Sequence, residues 1–156
     1  MALAMAGIFI IDQNIKTVFL EGFRYYGECI DLILVFNKGV AFSMFAFLKE
    51  WLKWIQLVML LAVIGYTLYL SNRIYSVPVG ILAGAGLSNV YDRFIHGGVV
   101  DMFYYHGWPY PVGGHEGFAV FNFADVMIDV SVVWLLWINW KTSCLLYTSP
   151  SPRDPQ

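Results

Sequence analysis

Charge is scarce in this chain. Asp, Glu, Lys and Arg make up only 13% of its 156 residues, where a soluble domain carries about 25%. A domain this small leaves much of its surface exposed, so a large buried core cannot account for a composition that is 59% hydrophobic and 18% aromatic. An integral membrane protein can. Cysteine is also sparse: Cys29 and Cys144 are too few and too isolated for a disulfide framework or a zinc site. There is no basic patch, and a net charge of −2 gives no electrostatic case for nucleic acid. The opening MALAMAGIFIIDQNIK lacks the basic start of a removable secretory signal.

What the chain does have is apolar length. Four apolar stretches run from Ala2 to Ile11, from about Trp51 to Leu70, from about Val77 to Phe94 and from about Phe118 to Trp140. A hydrocarbon core of about 30 Å takes ~20 helical residues. The second and fourth qualify outright, and the third does once its polar end is included. The first stops at Asp12 and reaches only about 16 Å, so it is expected to be a half-span or a truncated helix. Residues 1–141 are expected to form a single membrane domain. The tail TSCLLYTSPSPRDPQ, 142–156, turns to Ser, Pro and charge without periodicity, and is expected to be disordered. It also reads like translated adapter sequence rather than evolved protein.

Two connections are long. Between Gln13 and Glu50, ECIDLILVFN suits a strand or hairpin, and AFSMFAFLKEW suits an amphipathic stretch in the interface. From His96 to Gly117 the chain is rich in Gly, Pro, Tyr and His, which predicts turns. Four spans place both connections on one side of the membrane. Positive-inside counting does not sign that side: Arg73 and Lys141 stand against Lys16, Arg24, Lys38 and Lys49.

Ionisable residues at membrane depth cost ~2.5–3.5 kcal/mol each and point to function by default. The third span ends in AGAGLSNVYDRFIHGGVVD, with Asn89 and Arg93 on one face and Asp92 alongside. A purely structural reading of Asp92 and Arg93, knitting helices or snorkelling to headgroups, stands beside the functional one. Gly80, Gly84 and Ser88 form a small-residue ridge for close helix approach. In the fourth span Asn122, Asp125 and Asp129 are spaced as one polar helical stripe, and the deeper Asp129 is expected to be a structural acid bonded to a neighbouring helix. Asp101 follows the Gly97-Gly98 pair at the depth where Asp125 begins the fourth span, so the two acids can face each other. Two close carboxylates in a poorly solvated site share one proton. One can then take a proton from water while the other donates to a scissile carbonyl.

Rival catalytic signals are poor. HEGFA at His115 lacks the second His of a zinc-protease motif. His96, His106 and His115 fall in the turn-rich connection and read as solvated rather than as ligands. Ser43 and Ser88 have no Lys or His partner visible in sequence. No metal or other cofactor is expected.

In order along the chain, DQNIK (Asp12 to Lys16), NKGVAFS (Asn37 to Ser43), SNVYDR (Ser88 to Arg93), GGVVD (Gly97 to Asp101) and FNFAD (Phe121 to Asp125) resemble the sequence blocks of bacterial lipoprotein signal peptidases, the signal peptidase II family. The resemblance implies a four-helix membrane aspartic endopeptidase with a small extracytoplasmic β-platform and an interfacial helix, within residues 13–50, that cradle the substrate. Its substrates would be prolipoproteins, cut just before the diacylglyceryl-modified Cys. It implies Asp101 and Asp125 as the catalytic pair, Asn89, Asp92, Arg93 and Asn122 as residues shaping the site, and Asp12, Lys16 and Asn37 as lining or ordering its mouth. It further implies a multi-pass protein of the bacterial inner membrane, termini in the cytoplasm and site toward the outer face, with membrane lipid around it; a monomer is expected. Ser88 departs from the Gly usual in the family, and Asp129 is outside its pattern. The competing class is a non-enzyme, either a small proton-coupled carrier with Asp92, Arg93, Asp125 and Asp129 as its relay or an assembly factor. Against the carrier, the four spans show no internal repeat.

Overall fold

The computed structural model describes residues 1–38, 51–106 and 120–148, with side chains described to residue 143 in the last stretch. Helix α1 (Ala2–Leu20) leads into a hairpin of β1 (Tyr25–Tyr26) and β2 (Ile30–Asn37). Helix α2 (Trp51–Leu70) and a 3-10 turn at Arg73–Tyr75 precede α3 (Ser76–His96), β3 (Val99–Tyr105) and α4 (Phe123–Thr148). Among the described residues four helices are long and apolar enough to cross a membrane, so the protein is multi-pass.

The first span is longer than its apolar run. Helix α1 continues for 19 residues through Asp12 and Lys16, about 28 Å at the α-helical rise. Hydropathy ended the stretch at Asp12 because it counts each charge singly. Here Lys16 Nζ lies 2.6 Å from Asp12 Oδ2, four residues earlier on the same face, and the pair turns inward.

Helix α3 is central. A Cβ on Gly80 would lie 2.6 Å from Met1 O, and one on Gly84 would strike Met5 O. These two glycines bring α1 against α3 backbone to backbone, as the small-residue ridge predicts. On another face a Cβ at Gly86 would come within 2.7 Å of Leu60 Cδ2, which fixes α2 there, while Asn89 meets Asp125 of α4.

The sheet caps one end of the bundle. Its antiparallel strands run in the order β1-β2-β3. The hairpin expectation for ECIDLILVFN holds in β1 and β2, but two boundaries differ. Gln13 to Leu20 belong to α1, and the supposed turn region after His96 supplies β3. Gly97, at φ 71°, ends α3, and the β-branched and aromatic run VVDMFYY then pairs with β2, setting Asp101 opposite Val35 and Val99 opposite Asn37. Phe19, Val100 and Met102 pack beneath the sheet with Ile15, Leu32, Leu34 and Phe103 around them.

Helix α4 continues past Lys141 to Thr148, with Thr142 Oγ1 bonded to Ile138 O at 2.9 Å. The first part of the expected tail is therefore helical: no proline interrupts the chain before Pro150, so backbone bonding carries on. The stretch expected at the interface (41–50) and residues 149–156 lie outside the described residues.

Candidate functional site

The polar residues that hydropathy leaves unexplained converge where the upper ends of α1 and α3 meet β3 and the start of α4. Innermost is a buried ion cluster. Lys16 is 1% exposed, and its Nζ lies 2.6 Å from both Asp12 Oδ2 and Asp92 Oδ2. Its third bond goes to Asn89 Oδ1 at 2.9 Å. An ammonium has three N–H donors, so this one is fully used. The two carboxylates reach further: Asp12 Oδ1 accepts from Ala124 N at 2.9 Å, and Asp92 Oδ2 accepts from Val100 N at 3.1 Å. One cluster thus pins α1, α3, β3 and the first turn of α4 together.

Asn89 passes this order outward. With its oxygen held by Lys16, its Nδ2 faces Asp125 Oδ1 at 3.0 Å. Asn122 completes the frame. Its Nδ2 donates to Asp101 Oδ1 at 2.8 Å, to Asn89 Oδ1 at 3.1 Å and to Val100 O at 3.2 Å. Its Oδ1 accepts from Asp125 N at 2.9 Å, while Asp125 Oδ2 accepts from Asn122 N at 3.1 Å. That reciprocal pair is a capping box. Asn122 therefore precedes α4 and caps it, rather than lying on the helical stripe its spacing predicts. Phe121 holds this corner in place by pairing with Phe103 across two backbone bonds of 2.8 and 3.1 Å.

Asp101 is 2% exposed. Burial, and then the neighbouring Asp125 charge, push its pKa up to about 7 from 3.8; hydrogen bonds from Asn37 and Asn122 and the charge of Lys16 oppose the rise. A carboxyl that is half protonated near neutral pH, next to a second carboxyl, can give and take protons. Arg93 is buried close by, with Nη1 3.5 Å from Asn37 O.

All nine residues singled out from sequence come together: Asp12, Lys16, Asn37, Asn89, Asp92, Arg93, Asp101, Asn122 and Asp125. Of the expected roles of lining or ordering the mouth, Asp12 and Lys16, at 0% and 1% exposed, are placed for ordering, behind Asn89. Two participants were not expected. Gln13 Nε2 donates to Asp92 Oδ1 and to Ser88 Oγ, both at 2.8 Å, and Ser88 is more than a packing residue. The available signal was position: Gln13 is a polar residue at membrane depth beside Asp12. Asp129 is a correction. It is exposed on α4 and has no bonded partner among the described residues. His106 Nε2 lies 3.3 Å from Asp31, His96 is exposed, and His115 lies outside the described residues. Among the described residues no group of three or more His, Cys, Asp or Glu is arranged to hold a metal.

A family model described as Signal peptidase (SPase) II matches residues 4–141. A lipoprotein signal peptidase of Sulfurimonas denitrificans is 64% identical over 139 residues, covering 89% of this chain and 86% of its own length. One from Sulfurovum is 55% identical over 139 residues, covering 86% and 88%. A bacterial membrane enzyme solved by the in meso method at 2.3 Å resolution shares the fold, with a TM-score of 0.75 at 19% identity over 99% of this chain and 93% of the other.

Proposed function

The chain belongs to the signal peptidase II family of lipoprotein-processing membrane peptidases, and from that premise we propose that Asp101 and Asp125 are its catalytic pair. The observation that carries the reading is Asn122, which bonds both acids at once in a site that raises the pKa of Asp101 to about 7. The pair shares one proton near neutral pH. A water bound between the acids gives a proton to the ionised carboxylate, and its oxygen attacks the scissile carbonyl carbon. The protonated carboxyl gives its proton to the carbonyl oxygen. Collapse of the resulting gem-diol breaks the C–N bond: one of its hydroxyls returns a proton to the carboxylate that had protonated the carbonyl oxygen, leaving a carboxylic acid, and the departing nitrogen takes the proton gained from water. The Asp101 and Asp125 carboxyls then again hold one proton between them.

The substrate is a prolipoprotein, and the bond broken lies just before its diacylglyceryl-modified Cys. The lipid chains of that Cys remain in the bilayer while its amide reaches the acids at the sheet end. Asn89, Asp92, Arg93 and Asn122 shape the site, Asn37 flanks it, and Asp12 with Lys16 supports it from behind. The protein lies in the bacterial inner membrane as a monomer, its sheet toward the outer face and its amino terminus in the cytoplasm.

Separate Asp101→Asn and Asp125→Asn variants test this, with prolipoprotein cleavage followed by gel shift. Each is expected to abolish processing. Retained cleavage in either would sink the pair.

A further inference from the structure

Ser88 continues the α1-facing ridge of Gly80 and Gly84, where an added Cβ would meet backbone oxygen. One turn further on there is room for a side chain, and its hydroxyl is committed on both sides. Ser88 is 0% exposed; its Oγ accepts from Gln13 Nε2 at 2.8 Å and donates to Asp12 Oδ2 at 2.6 Å. Asp12 Oδ2 is also the atom that holds Lys16.

From there a path of bonds leads to the proposed pair. Lys16 has all three donors engaged, so the carboxylates of Asp12 and Asp92 set where its Nζ sits. That cation selects the Asn89 oxygen. An amide whose oxygen faces the ammonium must turn its NH2 the other way, toward Asp125 Oδ1. Asn89 with its amide reversed would set its NH2 against Lys16 and its oxygen against the Asp125 carboxylate, two repulsive contacts in a poorly solvated site.

We infer that Ser88 is a positioning residue for the reaction: its hydroxyl, with Gln13, fixes the Asp12 carboxylate and thereby, through Lys16 and Asn89, the orientation of Asp125. The inference rests on the catalytic pair proposed above. Ser88 is buried between α1 and α3, so it acts on the chemical step and not on substrate capture.

The test compares Ser88→Ala and Ser88→Gly with the unaltered full chain, purified in detergent, on a diacylglyceryl-modified prolipoprotein. Asp101→Asn and Asp125→Asn are run alongside. Loss of a hydrogen bond to a charged group predicts a fall in kcat of about tenfold in both Ser88 variants, with KM changed by less than about twofold. Unchanged kcat in either folded Ser88 variant, with both Asp variants inactive, overturns the inference and leaves the pair standing. A rise in KM with kcat preserved overturns it as well. Activity in Asp101→Asn or Asp125→Asn removes the pair itself and the positioning role with it.

Discussion

Asn122 and Asp125 cap each other: the Asn122 side-chain oxygen accepts from the Asp125 backbone N–H at 2.9 Å, and the Asp125 carboxylate accepts from the Asn122 backbone N–H at 3.1 Å. The start of α4 and the placement of one acid are thus a single local event. The Asn122 NH2 takes no part in the cap and holds Asp101 at 2.8 Å.

Two substitutions at Asn122 separate these roles. Asn122→Ala removes cap and donor together, and costs about 1 kcal/mol of stability from the cap alone. Asn122→Asp keeps an oxygen for the Asp125 N–H but turns a third carboxylate toward Asp101. It is expected to lose prolipoprotein cleavage and, with an uncompensated carboxylate at a buried position, to lower the thermal midpoint by more than Asn122→Ala does, as read by gel shift and by unfolding in detergent.

The raised pKa of Asp101 makes both stability and activity depend on pH. From 3.8 to about 7 the folded chain holds a proton that the unfolded chain releases, so stability falls as pH rises through this window and is level above it. Other groups contribute to the same melting curve, so the measure is the difference in melting temperature from Asp101→Asn. The unaltered protein should lose ground to the variant between about pH 4 and 7. Cleavage should decline as pH rises beyond about 7, where the pair gives up its shared proton.

Lys16→Met should be among the most damaging changes. It leaves the Asp12 and Asp92 carboxylates buried together with their cation gone, a loss of about 3–5 kcal/mol. Little folded protein should accumulate in membranes, as seen by size-exclusion profile.

Gly84→Val tests the contact of α1 with α3. Its Cβ has no room against Met5, so α1 must shift, at a cost of about 1–3 kcal/mol. Gly7→Val, with open space around it, should leave the midpoint nearly unchanged.

Asp129→Leu is the opposite case. The carboxylate is exposed on a membrane-spanning helix without a partner among the described residues, and at bilayer depth a charge there costs ~2.5–3.5 kcal/mol. The variant should be more stable in bilayers and cleave normally. Loss of cleavage would give this acid a part in the reaction.

Much of the molecule was legible in order. Three of the spans follow from apolar length, the small-residue ridge gives the close pairing of α1 and α3, and the depth of Asp101 and Asp125 brings them to one end. The first span was underestimated because hydropathy treats Asp12 and Lys16 as two charges, whereas the fold presents one neutralised pair. Strand β3 was hidden by its surroundings: Gly97-Gly98 before it signals a turn, and its pairing with β2 is not local. In FNFAD the Asn-x-x-Asp spacing fits both a helical stripe and a capping box, and only the helix start decides between them. Ser88 and Gln13 meet across two helices far apart in sequence, where spacing carries no signal.

The capping box also sets an order of events. Asn122 and Asp125 stand at the start of α4, which leaves the ribosome after Asp101 and the residues of the Lys16 cluster. The second acid joins the first only once α4 has wound and docked, so a nascent chain in the bilayer keeps the proposed pair apart until then.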